Sequence, residues 1–268
     1  KRWLNLFFLP QFQPIELLKP FIIIFVATIL CSEKNYNIYI KYLLTIIAII
    51  PTGLLLIMQP DIGQTLLVFL SWAILVFISG INLLFILLFI SFAIITLLYV
   101  VFFIPKFIYI KSRILSFFNP DSGTHNFQSD KAIEAISSGG FFGKGFLMGS
   151  QSQLNYLPEK QTDFVFTMIG EEFGFAGNIF ILLIYLLLTI SILRISFRVN
   201  SRFAQLTCIG IGMMVFFYMF VNVAMVTGLL PVVGAPLPLI SYGGTSMLTV
   251  FIGFGIVASA IVHDRRQS

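Results

Sequence analysis

Five charged residues of this chain fall within one short stretch, and they include groups that could do acid–base chemistry. The stretch is LPEKQTDFVFTMIGEE, residues 157–172, and its charged members are Glu159, Lys160, Asp163, Glu171 and Glu172. Asp163 follows a proline-containing segment and precedes an apolar run, which is the usual place of a helix N-cap. Its carboxylate could equally serve as a general base for a hydroxyl group brought beside it. The spacing alone leaves both roles open.

A second group of ionisable residues lies near the start of the chain. QPIELLK, residues 13–19, places Glu16 and Lys19 three residues apart, which is one face of a helix. The pair begins an apolar run, so it is either a salt bridge to a neighbouring helix or a functional pair inside a membrane. QPDIGQ, residues 59–64, predicts a turn in which Asp61 caps the next helix.

A third group lies between two apolar runs near the C-terminal end. GLLPVVGAPLPLISYGGTS, residues 228–246, contains three prolines and four glycines. It includes the run SYGG, with Ser241, Gly243 and Gly244. Irregular backbone at membrane depth is tolerated where protein or a water-filled cavity surrounds it. The segment is therefore predicted to be re-entrant and to line a cavity.

These groups are set in a very apolar chain. Hydrophobic residues make up 58% and charged residues 10% of the 268 residues, whereas soluble domains carry about 25% charged residues. Apolar runs of about 20 residues cross a bilayer as helices, because lipid leaves backbone amides no other partners. The sequence therefore predicts an all-α polytopic membrane protein. Seven spans are predicted, at 15–32, 42–58, 64–80, 83–104, 173–193, 205–228 and 246–262.

Between the fourth and fifth spans, residues 105–172 form a long and more polar loop within one transmembrane domain. Its segment 133–159 is glycine-rich and carries Phe141, Phe142 and Phe146. This segment is interpreted either as an interfacial stretch at headgroup depth or as a flexible wall around a lipid-linked substrate. Its GGFFGKG run lacks the spacing of a phosphate-binding loop.

Short loops fix the predicted orientation. With seven spans, basic residues of alternate short loops and of the C-terminal end fall on one side, and the positive-inside rule makes that side cytoplasmic. The long loop and the other two polar groups then share the outer face. The net charge of +5 is explained by these loops, so no nucleic-acid partner is expected. Cys31 and Cys208 stand alone on apolar runs and have no metal-binding spacing.

Taken in order, the motifs resemble the SEDS family (shape, elongation, division and sporulation), the peptidoglycan polymerases typified by RodA and FtsW. The resemblance covers essentially the whole chain and is nearer to the RodA members. Its carriers are QPIELLK, QPDIGQT, RILSF at 113–117, SGGFFGKG at 138–145, YLPEKQTDFVFTMIGEEFGFAG at 156–177 and GLLPVVGAPLPLISYGG at 228–244. Family members have ten spans, so the resemblance implies that this chain holds spans four to ten and lacks the first three.

The resemblance also implies a chemistry. Family members polymerise lipid II, a disaccharide-pentapeptide on undecaprenyl pyrophosphate, at the outer face of the bacterial cytoplasmic membrane. Asp163 matches the essential carboxylate and is expected to be the general base of an inverting glycosyl transfer. Expected substrate-binding residues are Glu16, Lys19, Lys111, Arg113, Lys144, Lys160, Glu172, Ser241, Gly243 and Gly244. A divalent cation, Mg²⁺ or Mn²⁺, is one further source of positive charge for the leaving pyrophosphate.

The partners implied by the resemblance are a class B penicillin-binding transpeptidase and the cell-elongation machinery. Two other functions were weighed against catalysis. A lipid II flippase should place its decisive ionisable groups near the bilayer midplane, and a non-catalytic scaffold would only bind the transpeptidase. The position of Asp163 in the outer loop favours the enzyme over the flippase, and loss of polymerisation with retained binding in an Asp163 variant would distinguish the enzyme from the scaffold.

Overall fold

A computed structural model describes residue 4 and residues 12–33, 37–59, 61–103, 107–118, 124–149 and 161–267. This part of the chain is helical over most of its length. Its helices are α1 (Pro14–Leu30), α2 (Ile38–Met58), α3 (Ile62–Ile78), α4 (Leu83–Phe103), α5 (Ile108–Phe118), α6 (Thr124–Ser138), α7 (Val165–Ser196), α8 (Arg202–Val226) and α9 (Gly244–Gln267).

Seven of these helices coincide with the predicted spans, so the all-α membrane class is confirmed. Within the described residues, five helices could cross a membrane by length and composition, namely α2, α4, α7, α8 and α9. The helix α3 is apolar but has 17 residues, and α1 also has 17. The exact number of crossings therefore stays a prediction.

The polar stretch 105–172 differs from the long loop that was predicted. It contains the helices α5 and α6, and α7 begins at Val165 rather than near residue 173. Glu171 and Glu172 consequently lie inside α7 instead of before it. The hydropathy pattern placed the boundary too late because two adjacent acids normally exclude a position from a membrane-spanning run.

The contacts divide the chain into two compact units. Unit 1 contains residues 1–90, 187–217 and 244–268, and unit 2 contains residues 91–186 and 218–243. The helices α4, α7 and α8 each contribute residues to both units.

In unit 1, α1 packs against α2, α3 and α9. Ile23 of α1 is buried and so close to Gly210 of α8 that a Cβ at Gly210 would lie 2.5 Å from it. The indole of buried Trp72 donates a hydrogen bond of 3.0 Å to the hydroxyl of Thr45, so α3 is also tied to α2. As predicted, Asp61 caps α3, and its carboxylate accepts from the amide of Gln64 at 3.3 Å.

Unit 2 contains α5, which packs against α6, and the irregular segment 227–243 that follows α8. Val233, Ala235 and Leu237 of that segment are buried. The hydroxyl of Tyr185 donates a hydrogen bond to the carbonyl of Pro238. The predicted break in regular structure is thus present, and part of it is packed inside protein.

Candidate active site

Asp163 lies in unit 2, in a turn two residues before the start of α7. The residue is partly exposed, whereas Phe164 and Phe166 beside it are buried. The two phenylalanines anchor the turn in the core. A carboxylate in this position can meet a group that arrives from outside the protein.

Hydrogen bonds to three consecutive carbonyl oxygens hold the backbone that carries the Asp163 carboxylate. The carbonyl oxygens of Gln161, Thr162 and Asp163 each accept a hydrogen bond from residues 222–242. The donors are, in order, the amide of Tyr242 at 2.8 Å, the hydroxyl of Ser241, and the side-chain amide of Asn222 at 2.8 Å. Three bonds on three successive residues fix the turn, so the direction of the Asp163 side chain is constrained before any substrate binds.

Asn222 is a site residue that sequence reasoning missed. It is completely buried in α8, and its amide nitrogen donates both to the carbonyl of Asp163 and to that of Ala235, the latter at 2.6 Å. Because a nitrogen alone can donate to two carbonyls, these contacts also fix which way the amide points. No local sequence pattern marks Asn222 as a site residue.

Gly234 makes room for the carboxylate. Its φ is +70°, a conformation that favours glycine, and a Cβ at this position would lie 3.3 Å from Oδ2 of Asp163. The motif VVGAP therefore supplies a close backbone surface beside the carboxylate.

Ser241 was predicted to bind substrate, but its hydroxyl is used within the protein. It accepts from the amide of Leu237 at 2.7 Å and donates to the carbonyl of Thr162. The Ser241 hydroxyl therefore links the segment that contains Leu237 to the turn that contains Thr162. Gly243 follows it in unit 2, whereas Gly244 begins α9 and belongs to unit 1.

The helix α7 is broken at Gly174, whose φ and ψ are 69° and −166°. In an unbroken helix the amides of Phe175 and Ala176 would donate to carbonyls four residues earlier. Here they donate instead to the carbonyls of Gly140 and Phe141, at 2.9 and 3.1 Å.

The carbonyls left without those partners receive new donors from the same loop. The carbonyl of Glu171 accepts from the amide of Lys144, and that of Glu172 accepts from the amide of Gly145, both at 3.0 Å. The break therefore leaves these four backbone groups paired. We call this pairing of residues 139–145 with residues 170–176 the glycine clamp.

Glycine is required in the clamp because two backbones touch there. A Cβ at Gly139 would lie 2.0 Å from the carbonyl oxygen of Gly170, and one at Gly143 would lie 2.1 Å from that of Glu172. Four hydrogen bonds and this close approach hold residues 139–145 in place. They argue against a flexible wall for this part of the loop.

Lys144 and Glu171 form an ion pair inside the clamp. The Lys144 ammonium lies 2.9 Å from Oε1 of Glu171, whose side chain is completely buried, while the lysine is partly exposed. Lys144 was predicted to bind the leaving pyrophosphate. The ion pair competes with that role, because Glu171 already neutralises the lysine charge.

We expect Lys144→Met to destabilise the protein by roughly 2 kcal/mol or more, because removal of one partner leaves a buried carboxylate without this compensation. Thermal unfolding in detergent measures the loss. Glu171→Gln in the Lys144→Met background should recover part of it, because the buried charge is then gone. A double variant no more stable than Lys144→Met would contradict the ion-pair account.

The other residues of this part of the chain that were predicted to bind substrate lie in α5 and α7 or outside the described residues. Glu172 is buried in α7. The Lys111 ammonium in α5 lies 5.3 Å from the ring centre of Phe102, a cation–π contact. The side chain of Arg113 and the whole of Lys160 lie outside the described residues, so their predicted roles stay predictions.

Glu16 and Lys19 lie in unit 1, where both are buried more deeply than predicted, at 3% and 1% exposure. Lys19 donates to the side chain of Gln64 and is attracted electrostatically to Glu16 and Asp61. The side chain of Gln13 donates to Asp61 at 3.0 Å. The two residues thus belong to a polar cluster that links the start of α1 to the start of α3.

The described residues hold no preformed cluster of metal ligands. Over the described ranges, no group of three or more histidine, cysteine, aspartate or glutamate side chains is gathered where it could hold a metal ion. We therefore derive no catalytic step through a metal.

These features define a class of protein: a multi-pass helical membrane protein with a carboxylate fixed in a turn before a broken helix. Residues 1–266 match the "Cell cycle protein" family of FtsW, RodA and SpoVE. The chain belongs to this family, the SEDS proteins, as the motifs predicted.

Curated relatives are named as glycosyltransferases. The chain is 38% identical over 281 residues to "Peptidoglycan glycosyltransferase MrdB" of Escherichia coli K12, covering all of the chain and 72% of that protein. It is 37% identical to "Probable peptidoglycan glycosyltransferase FtsW" of Buchnera aphidicola, over 92% of the chain and 70% of that protein.

Solved structures share the fold. One, described as "Structural coordination of polymerization and crosslinking by a peptidoglycan synthase complex", matches with a TM-score of 0.80 and 28% identity, over 99% of this chain and 74% of the other. Thermus thermophilus RodA matches with a TM-score of 0.68 and 26% identity, over 100% of this chain and 70% of the other.

Proposed function

We propose that this protein is a peptidoglycan glycosyltransferase that polymerises lipid II during cell elongation, with Asp163 as general base. Family membership and relatives named for this activity support the reaction class. The observation that carries the assignment of the base is the turn at residues 161–163, where three carbonyls are held and Asp163 is a partly exposed residue.

In the proposed reaction, the Asp163 carboxylate takes the proton from the 4-hydroxyl of the acceptor GlcNAc. The hydroxyl oxygen attacks C1 of the donor MurNAc, and the bond from C1 to the pyrophosphate oxygen breaks with inversion. The bonding electron pair leaves on the undecaprenyl pyrophosphate. One base is enough for an inverting transfer, because no enzyme carboxylate needs to attack the sugar.

The developing charge on the pyrophosphate calls for cations. Arg113, Lys160 and Lys111 remain the candidates for this role in the proposal, since Lys144 is paired with Glu171. Glu16 and Lys19 are also proposed to bind substrate. This assignment rests on the family motif and on the tendency of buried membrane charges to be functional.

The proposed setting is the bacterial cytoplasmic membrane, with the C-terminus in the cytoplasm and the site on the outer face. The proposed partner is a class B penicillin-binding transpeptidase. A related structure described as a peptidoglycan synthase complex of polymerisation and crosslinking supports that choice.

A second candidate, a lipid II flippase, is favoured by the buried cluster of Glu16, Lys19 and Asp61. Ionisable groups buried in membrane helices commonly mark transport pathways. The purified protein, reconstituted into vesicles with fluorescent lipid II, separates the two functions. Glycan strands on a gel support the polymerase, whereas transbilayer movement in vesicles without any strands would favour the flippase.

Asn222 provides a further prediction. We expect Asn222→Asp to lower kcat of lipid II polymerisation by roughly tenfold or more, because a carboxylate oxygen would face the carbonyls of Asp163 and Ala235 in place of a donor, and a misplaced base loses rate. KM should change little. Kinetics of strand formation measure both constants.

Thr227→Val is the matched control for Asn222→Asp, because Thr227 is an exposed polar residue just beyond the same helix. Thermal unfolding of both variants separates a positioning effect from loss of the fold. A folded Asn222→Asp protein with wild-type kcat would contradict the proposed role.

A further inference from the structure

An exposed apolar surface projects from the glycine clamp. It consists of Phe141, Phe142, Phe146, Leu147 and Met148, which are between 60% and 82% exposed. So much exposed aromatic and aliphatic side chain within eight residues is unusual for a loop that faces water. We call it the clamp surface.

The clamp surface continues onto α7. The ring of Phe141 lies 6.1 Å from that of Phe175, and the ring of Phe146 lies 6.4 Å from that of Phe173. Both partner rings are themselves exposed, and they belong to a helix that is long and apolar enough to cross a membrane. The exposed face of α7 and the clamp surface therefore form one continuous apolar area.

Several polar groups beneath this surface are paired. Lys144 is the one charged residue of the run 139–149, and its charge is matched by Glu171. The glycine clamp satisfies the carbonyls of Gly140 and Phe141 and the amides of Lys144 and Gly145. Non-helical backbone at membrane depth is tolerated where it is buried in protein, and these bonds hold the clamp backbone against α7.

We propose that the clamp surface inserts among the acyl chains of the adjacent bilayer leaflet and so fixes the depth of the glycine clamp. The occupant of this surface is bulk lipid. Continuity with the span of α7, and a neutralised charge beneath it, argue for hydrocarbon rather than headgroups or water. This inference does not depend on the glycosyltransferase assignment.

Nitroxide labels test the proposal in the whole protein reconstituted into phosphatidylcholine vesicles. Phe142→Cys and Phe146→Cys are labelled separately in a background in which Cys31 and Cys208 are replaced by Ala. Collisions with oxygen report hydrocarbon, and collisions with a water-soluble nickel chelate report water. We expect both labels to be reached mainly by oxygen and to lose their collisions with nickel.

Two controls calibrate the measurement. Phe92→Cys, exposed on the apolar helix α4, should be dominated by oxygen, and Glu134→Cys, exposed on the polar helix α6, by nickel. Labels at 142 and 146 that behave like the label at 134 would overturn the proposal and favour a protein partner. Loss of oxygen collisions on adding undecaprenyl phosphate, with no change at 92, would also overturn it and identify a prenyl chain as the occupant.

Discussion

Asp163→Asn is expected to lower the rate of lipid II polymerisation by at least about a hundredfold, because removal of a general base typically costs 10²- to 10⁴-fold. The amide keeps the size of the side chain but cannot take the proton of the attacking hydroxyl. The backbone of residues 161–163 is held through its carbonyls, so the substitution should leave the turn intact. Gel analysis of strands made from fluorescent lipid II measures the rate.

Asp130→Asn is the matched control, since Asp130 is an exposed aspartate on α6 in the same unit. It should polymerise at the wild-type rate. Binding of the transpeptidase should survive in both variants, which distinguishes a catalytic role of Asp163 from a scaffolding one. An Asp163→Asn protein that polymerises like the wild type would refute the assignment of the base.

Gly143→Ala should produce the largest loss of stability, roughly 3–5 kcal/mol, because strain at positive φ adds to a backbone clash. The φ of Gly143 is +82°, and the new Cβ would lie 2.1 Å from the carbonyl oxygen of Glu172. Relief of that contact requires the clamp to open, so the hydrogen bonds of the clamp would be lost together. The midpoint of thermal unfolding in detergent measures the effect.

Gly140→Ala separates strain from steric clash. Gly140 also has a positive φ, +58°, but a Cβ there would meet no atom within 4 Å. The expected loss is therefore strain alone, about 1–2 kcal/mol. Equal losses in the two variants would show that the close approach of the two backbones contributes nothing.

Much of the fold was predictable because few structures can satisfy the backbone hydrogen bonds of a chain inside a bilayer. Seven apolar runs became helices within a few residues of the predicted ends, apart from the start of α7. The start of α7 was predicted too late because Glu171 is disfavoured in a buried helix unless Lys144 lies beside it. The two residues are 27 positions apart, and no local pattern joins them. The helix α6 was missed since its residues are too polar to register as a span.

The candidate site was predictable in its residue types but not in its geometry. Asp163 was identified from its motif, and Asp61 was correctly predicted as a cap. Ser241 and Asn222 show what sequence alone leaves undecided. The serine was expected to bind substrate, which stays a prediction, and its hydrogen bonds between two segments were not foreseen. The asparagine was passed over because a single amide in an apolar helix carries no local pattern.

The break at Gly174 explains how a membrane-spanning helix can carry two acidic residues in its first part. From Phe175 to Ser196 the second part of α7 has about 22 residues, which at roughly 1.5 Å per residue is some 33 Å, enough to traverse the lipid interior unaided. The portion from Val165 to Phe173 therefore does not need to cross the lipid interior. It can lie at the membrane surface, so one continuous stretch of chain holds both a membrane-spanning helix and the segment that follows the proposed catalytic carboxylate.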